Sequence, residues 1–139
     1  MPSCPLCTPE HETLLWQGSA CRIILVPHAH YGGFCRVIWQ AHVKEMSDLR
    51  TEQRQYFMAV VFGVEAVLRE TLRPDKINLA SLGNQVPHLH WHVIPRFTDD
   101  AHFPDPIWAT AQREGQVHPA DQATLRQRLE IRLKELSVE

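Results

Sequence analysis

Residues 88–94 read His-Leu-His-Trp-His-Val-Ile, a strict alternation of imidazole and apolar side chains. On an extended strand successive side chains point to opposite faces of the sheet, so His88, His90 and His92 share one face and Leu89, Trp91 and Val93 the other. The apolar face can pack on a core. Three neighbouring titratable rings add little to packing and compete for protons near neutral pH, so the imidazole face calls for a chemical explanation.

The rest of the chain is patterned to supply that core. Residues 21–26 and 34–39 are short β-branched-rich runs around a turn containing Gly32-Gly33, which predicts a hairpin. From about Ser47 to Thr71, Phe57, Val60, Val61, Val64, Val67 and Leu68 recur at helical spacing, and Pro74 prevents continuation. Residues 76–82 and 88–94 form a second strand pair around Gly83-Asn84. Pro95, Pro104 and Pro106 then mark an irregular passage. A last helix follows Pro119, with Leu125, Leu129, Leu133 and Leu136 on one stripe. The order strand, strand, helix, strand, strand, helix predicts a single α+β domain with an antiparallel sheet, one long helix and one C-terminal helix.

At 139 residues the chain fits one domain, 1–139, able to bury roughly two-thirds of its unfolded surface. A formal charge of −2 supplies no excess of cations for a polyphosphate backbone, so nucleic acid is not an expected partner. The segment Met1-Pro2-Ser3-Cys4-Pro5 lacks a basic region followed by an apolar one, and no run approaches the ~20 apolar residues of a membrane span. The expectation is a soluble, cytoplasmic protein with no membrane partner.

Two chemistries suit the imidazole row. His-x-His on a strand aims two ring nitrogens at one point and suits zinc, although His88 and His92 lie roughly 13 Å apart along a strand at ~3.3 Å per residue. In phosphoryl or nucleotidyl transfer, a neutral imidazole attacks phosphorus while neighbouring rings donate to phosphate or leaving-group oxygens. The bland alternative is three partly exposed histidines on a sheet face.

The segment from Asn78 to Arg96, Asn-Leu-Ala-Ser-Leu-Gly-Asn-Gln-Val-Pro-His-Leu-His-Trp-His-Val-Ile-Pro-Arg, resembles the signature of the histidine-triad (HIT) family, three histidines alternating with apolar residues. Upstream, Gly33-Phe-Cys-Arg-Val-Ile-Trp-Gln-Ala-His42 is similar to that family's Gly-His-x-Leu-Val-Ile-Pro-x-x-His, and Cys4-Pro-Leu-Cys7 to its Cys-x-x-Cys. The resemblance spans about residues 4–97. It implies a homodimeric HIT-like α+β fold and hydrolysis or transfer at the α-phosphate of a nucleotide, of the dinucleoside polyphosphate or nucleoside phosphoramidate class. His90 would be the nucleophile forming a nucleotidyl-histidine, His92 would contact the phosphate or leaving-group oxygen, and His88 would support the row. Asn78, Asn84 and Gln85 would contact phosphate, and no catalytic cofactor is required. Gly83-Asn84-Gln85-Val86 replaces the family's Gly-Gln-Ser/Thr-Val, and Pro27-His28-Ala29-His30 stands where an acidic residue often holds ribose.

The four cysteines are not needed as a disulfide scaffold in a chain of this size. Two thiolates with two histidines complete a closed tetrahedral site, and the resemblance points to Cys4, Cys7, His42 and His88 as ligands of a structural zinc. Otherwise Cys4 and Cys7 are reduced cysteines on a tail and His42 caps a strand end. The rival to an enzyme is a nucleotide-binding or zinc-stabilised interaction module on the same fold. Apolar residues on the Phe57–Leu72 helix, beyond what one subunit can cover, add to the expectation of a homodimer.

Overall fold

The computed structural model describes residues 4–136; Met1–Ser3, part of the amino-terminal reading above, lie outside it. Five strands, β1 (Thr13–Gln17), β2 (Cys21–Leu25), β3 (Cys35–Trp39), β4 (Lys76–Ala80) and β5 (His90–Arg96), make one sheet in the order β1-β2-β3-β5-β4. Every neighbouring pair is antiparallel. Two helices, α1 (Thr51–Leu72) and α2 (Gln122–Leu133), complete the α+β fold expected from the sequence. No described helix is long and apolar enough to cross a membrane.

The sheet's two faces differ as the alternation demands. Cys21, Ile23, Cys35, Val37, Trp39 and Val93 point to one side and join Phe57, Val60, Val64 and Leu68 of α1 and Leu125, Leu129 and Leu133 of α2 in the main core. Leu89 belongs to the same core and Trp91 packs against it. Fully burying such side chains stabilises by about 1.5–3 kcal/mol each before chain entropy is counted. The α1 stripe is covered within one subunit, with Phe57, Val60 and Val61 at 0% exposure, so it no longer argues for a second copy. Phe62, 53% exposed, is the large apolar residue of α1 left at the surface.

Several elements differ from expectation: β4 ends at Ala80, α2 ends at Leu133 and leaves Leu136 beyond it, and three further differences have local reasons. Helix α1 starts at Thr51 instead of near Ser47, because Asp48 Oδ2 accepts the Lys44 and Glu45 N–H groups and closes a separate 3-10 turn at Met46–Asp48. Gln53 Oε1 then accepts the Arg50 N–H at 2.8 Å and opens the helix proper. Strand β1 was not expected: its register shifts between Leu14 and Trp16, so Leu15 and Trp16 are both buried and the period-two signal is lost. Strand β5 begins at His90, and His88 precedes it.

Candidate active site and metal cluster

The face of the sheet away from the helices carries the chemistry. Arg36 pairs with His92 and Ile38 with His90 across β3 and β5, and directly opposed residues share a face. A cavity of about 370 Å³ opens here, with His90, His92 and Arg36 as its floor and Leu82–Val86, Pro5, Leu6 and Trp108 around it. That volume falls within the range of small-molecule sites. Gly83, at φ 76, turns the loop that brings Asn84 and Gln85 to the rim.

Of the three histidines expected in one row, the structure brings two together. The His90 and His92 ring centroids lie 5.0 Å apart at 89°, and both side chains line the cavity. His88, fully buried, belongs to a different group. Its Nε2 lies 2.7 Å from Trp39 O. A carbonyl only accepts, so Nε2 carries the proton and the neutral ring leaves Nδ1 bare. That bare nitrogen sits 3.4 Å from Cys4 Sγ, 3.4 Å from Cys7 Sγ and 3.2 Å from His42 Nδ1, with Cys7 Sγ 3.3 Å from His42 Nδ1. All four ligand atoms lie within 4.8 Å of one another.

These distances test the fit of zinc. Zinc bonds of ~2.3 Å to sulfur and ~2.1 Å to nitrogen at tetrahedral angles place ligand atoms about 3.3–3.8 Å apart. The four contacts, 3.2–3.4 Å, fall at the short end of that range, the remaining two edges lie within 4.8 Å, and the proton of His88 donated to a carbonyl is the usual outer support of a metal-bound histidine. The Cys4–Cys7–His42–His88 set therefore fits a closed structural site. Burial pushes the His88 pKa below its ordinary value, partly offset by the bond to Trp39, and so favours the neutral ring such a site needs.

His88 also reaches His90 through its backbone. His90 Nδ1 lies 2.6 Å from His88 O, which fixes the proton on Nδ1 and leaves Nε2 as the free lone pair. Burial lowers the His90 pKa, with the bond to His88 O opposing and the charge of Arg36 adding to the shift. His92 is pushed down to about 4 by burial first, then by Arg36 and His90. Both rings are thus held neutral by their surroundings. Phe34 and Trp108 flank His92 edge-on at 5.5 and 5.4 Å.

A buried ion pair joins the end of β5 to the segment that leads to Trp108. Arg96 Nε and Nη2 donate to the two Asp100 carboxylate oxygens at 2.9 and 3.0 Å, and Nη2 also donates to Asp105 O. Burial alone would raise the Asp100 pKa, but Arg96 and the backbone N–H groups of Phe97, His102 and Phe103 hold it well below the usual carboxylate range. Asn78, expected at the phosphate, accepts on its Oδ1 from Arg96 Nη1 at 2.8 Å and is not among the residues that line this cavity.

A family model described as HIT domain matches residues 10–99 of the chain. The chain belongs to the HIT family. Among solved structures, a histidine triad protein from Marinobacter aquaeolei VT8 is 25% identical, with 91% of each chain covered and a TM-score of 0.69. One from Bradyrhizobium japonicum is 24% identical over 91% of each chain at 0.67 and shares the fold. A zinc-bound histidine triad family protein from Mycobacterium smegmatis is 20% identical, covering 96% of this chain and 94% of its own, at a TM-score of 0.60. A comparison with curated proteins gave no match.

Two residues of this HIT domain's cavity escaped the sequence reading. Trp108 lies in the irregular passage, where no periodicity orients a side chain. Arg36 had a signal: it interrupts the apolar strand Phe34-Cys-Arg-Val-Ile-Trp39, and a cation inside a buried run needs a reason.

Proposed function

We propose that this chain is a nucleotide hydrolase or nucleotidyl transferase that acts at the α-phosphate of a dinucleoside polyphosphate or nucleoside phosphoramidate. The observation that carries the reading is the 2.6 Å bond from His90 Nδ1 to His88 O, which presents an unprotonated Nε2 to a cavity of nucleotide dimensions. His90 Nε2 attacks phosphorus; the P–N bond forms as the bond to the leaving oxygen or nitrogen breaks. The leaving atom takes a proton from solvent water, with the neutral His92 as its hydrogen-bonding neighbour. Water, or an acceptor alcohol or amine, then attacks the nucleotidyl-histidine. The P–N bond breaks, the attacking atom gives up its proton to solvent, and His90 returns to its neutral form.

Asn84 and Gln85 supply amide donors to non-bridging oxygens from the loop at the cavity rim. His88 acts through its carbonyl and, with zinc bound alongside Cys4, Cys7 and His42, as part of a structural centre that fastens residues 4–7 to the start of β5. Bound zinc would supply cross-linking there and no step of the reaction. The assembly is a homodimer in this proposal, with Phe62 as an exposed apolar contact; light scattering giving the mass of one chain over a wide concentration range would remove that part alone.

The test is mass spectrometry of acid-sensitive adducts after brief mixing with a dinucleoside polyphosphate and, separately, a nucleoside phosphoramidate. A nucleotidyl group on His90 supports the mechanism. An unmodified His90 in single turnovers, together with a His90→Ala variant of normal activity, would falsify it. Nucleotide binding without any turnover would leave the binding-module reading standing.

A further inference from the structure

Three arginines lie on the site face of the sheet, and their partners differ. Arg22 donates to Glu12 Oε1 and Oε2 at 2.9 and 2.8 Å and to Leu6 O at 2.9 Å. Arg96 is taken by Asp100, Asn78 and Asp105 O. Arg36 makes no ion pair among the described residues, although Glu12, engaged by Arg22, is near enough to act on its charge.

Among the described residues two buried side-chain nitrogens lack a hydrogen-bond partner, Arg36 Nε and His92 Nδ1. They belong to residues that face each other across β3 and β5. A buried donor without a partner costs about 1–3 kcal/mol, more for a charged group, so such atoms call for an explanation. Arg36 also lines two cavities: the one above His90 and His92, and a second of about 600 Å³ bounded by Glu10–Thr13 and Ile24–Pro27. The cavities share Pro5, Leu6 and Arg36, so an extended ligand occupying both passes over the guanidinium.

We infer that Arg36 is the residue of this site that clamps the reacting phosphate, donating to its non-bridging oxygens between the two cavities. The inference rests on the proposed nucleotide chemistry. A guanidinium is permanently charged and its fork matches a phosphate's paired oxygens, whereas amides such as Asn84 and Gln85 give direction without charge. As His90 Nε2 bonds to phosphorus, negative charge grows on those oxygens, and a fixed cation already in place stabilises it without reorganisation. No bond is made or broken at Arg36. The cross-strand pairing sets its distance to the chemistry, because β3 and β5 hold Arg36 and His92 at one register position.

The experiment compares AMP with adenosine, and GMP with guanosine, by calorimetric titration of the wild-type protein and of Arg36→Gln and Arg36→Lys. Phosphoramidate turnover is measured alongside. Arg36→Gln is expected to weaken binding of the monophosphates by roughly 10–100-fold, leave nucleosides unchanged, and lower kcat/KM by about 10²-fold or more. Arg36→Lys is expected to recover part of both losses, which a purely structural arginine would not require. Monophosphate binding and kcat/KM equal to wild type in a folded Arg36→Gln protein would overturn the inference and leave the proposed function intact. Equal losses for monophosphate and nucleoside, with no recovery in Arg36→Lys, would also overturn it. Wild-type protein that binds neither monophosphate would overturn the nucleotide reading and this inference with it.

Discussion

The backbone carbonyl of His88 holds the ring of His90 by a 2.6 Å hydrogen bond, while the ring of His88 belongs to the Cys4–Cys7–His42 cluster. One residue thus ties the Cys/His cluster to the tautomer of His90, the proposed nucleophile. Metal removal should then affect chemistry as well as folding. Protein stripped by a chelator should melt several degrees lower, and its kcat should fall several-fold with nucleotide affinity less affected, both recovering on stoichiometric zinc. Thermal melts and steady-state kinetics on the same preparations check this; a zinc-independent melting temperature and kcat would refute the coupling.

His92 gives a prediction with a pH signature. Burial, with Arg36 and His90 beside it, holds the ring down to about 4, so it is neutral throughout pH 6–8 and meets the leaving group as a neutral N–H donor. His92→Asn should slow turnover by roughly 10–10²-fold, by the same factor at pH 6 and pH 8, and a substrate with a better leaving group should recover part of the loss. A wild-type-to-variant ratio that changes strongly across this range would show that His92 titrates there.

Asn84 tests the amide rim independently of charge. Asn84→Ala should lower kcat/KM by about 10-fold, the worth of one hydrogen bond to an anion, with no change in thermal stability because the side chain stands at the exposed edge of the cavity. An unchanged kcat/KM would remove Asn84 from the phosphate site.

The Arg96–Asp100 pair predicts acid sensitivity with a defined sign. Asp100 is depressed in the folded state relative to an unfolded value of about 3.9, so its contribution is fully present above that value and is lost as pH falls toward the folded one. Asp100→Asn should cost about 3–5 kcal/mol at neutral pH, since it leaves the Arg96 charge buried, and the gap to wild type should narrow below pH 4. Urea melts of both proteins from pH 3 to 7 measure it; a gap that widens in acid would reverse the assignment.

Much of this was legible in the sequence because side-chain alternation and helical spacing are geometric. The apolar partners in 88–94 and the α1 stripe are readable from order and identity, whereas the ligand set Cys4, Cys7, His42 and His88 comes from the resemblance to the HIT family. What was not readable depended on where a pattern stops. Alternation does not say at which residue a ladder begins, so the sequence admits His88 both as support for the row of His90 and His92 and as a partner of the cysteines; its ring joins the cysteines. A bulge erases the rhythm of β1, and Trp108, which meets His92 edge-on, lies on a segment with no periodicity.

The contact between Cys4 and His88 spans 84 residues of chain. During synthesis Cys4 leaves the ribosome long before His88 exists, and closing so wide a loop comes after local elements have formed. Pro5 and Leu6, carried on the same segment, wall both cavities; Arg22 holds Leu6 O from within the earlier strands, and the contact with His88 completes the fastening of those walls. A chain that has not yet reached His88 therefore lacks this contact: a residue made 84 positions earlier meets its partner only when His88 arrives.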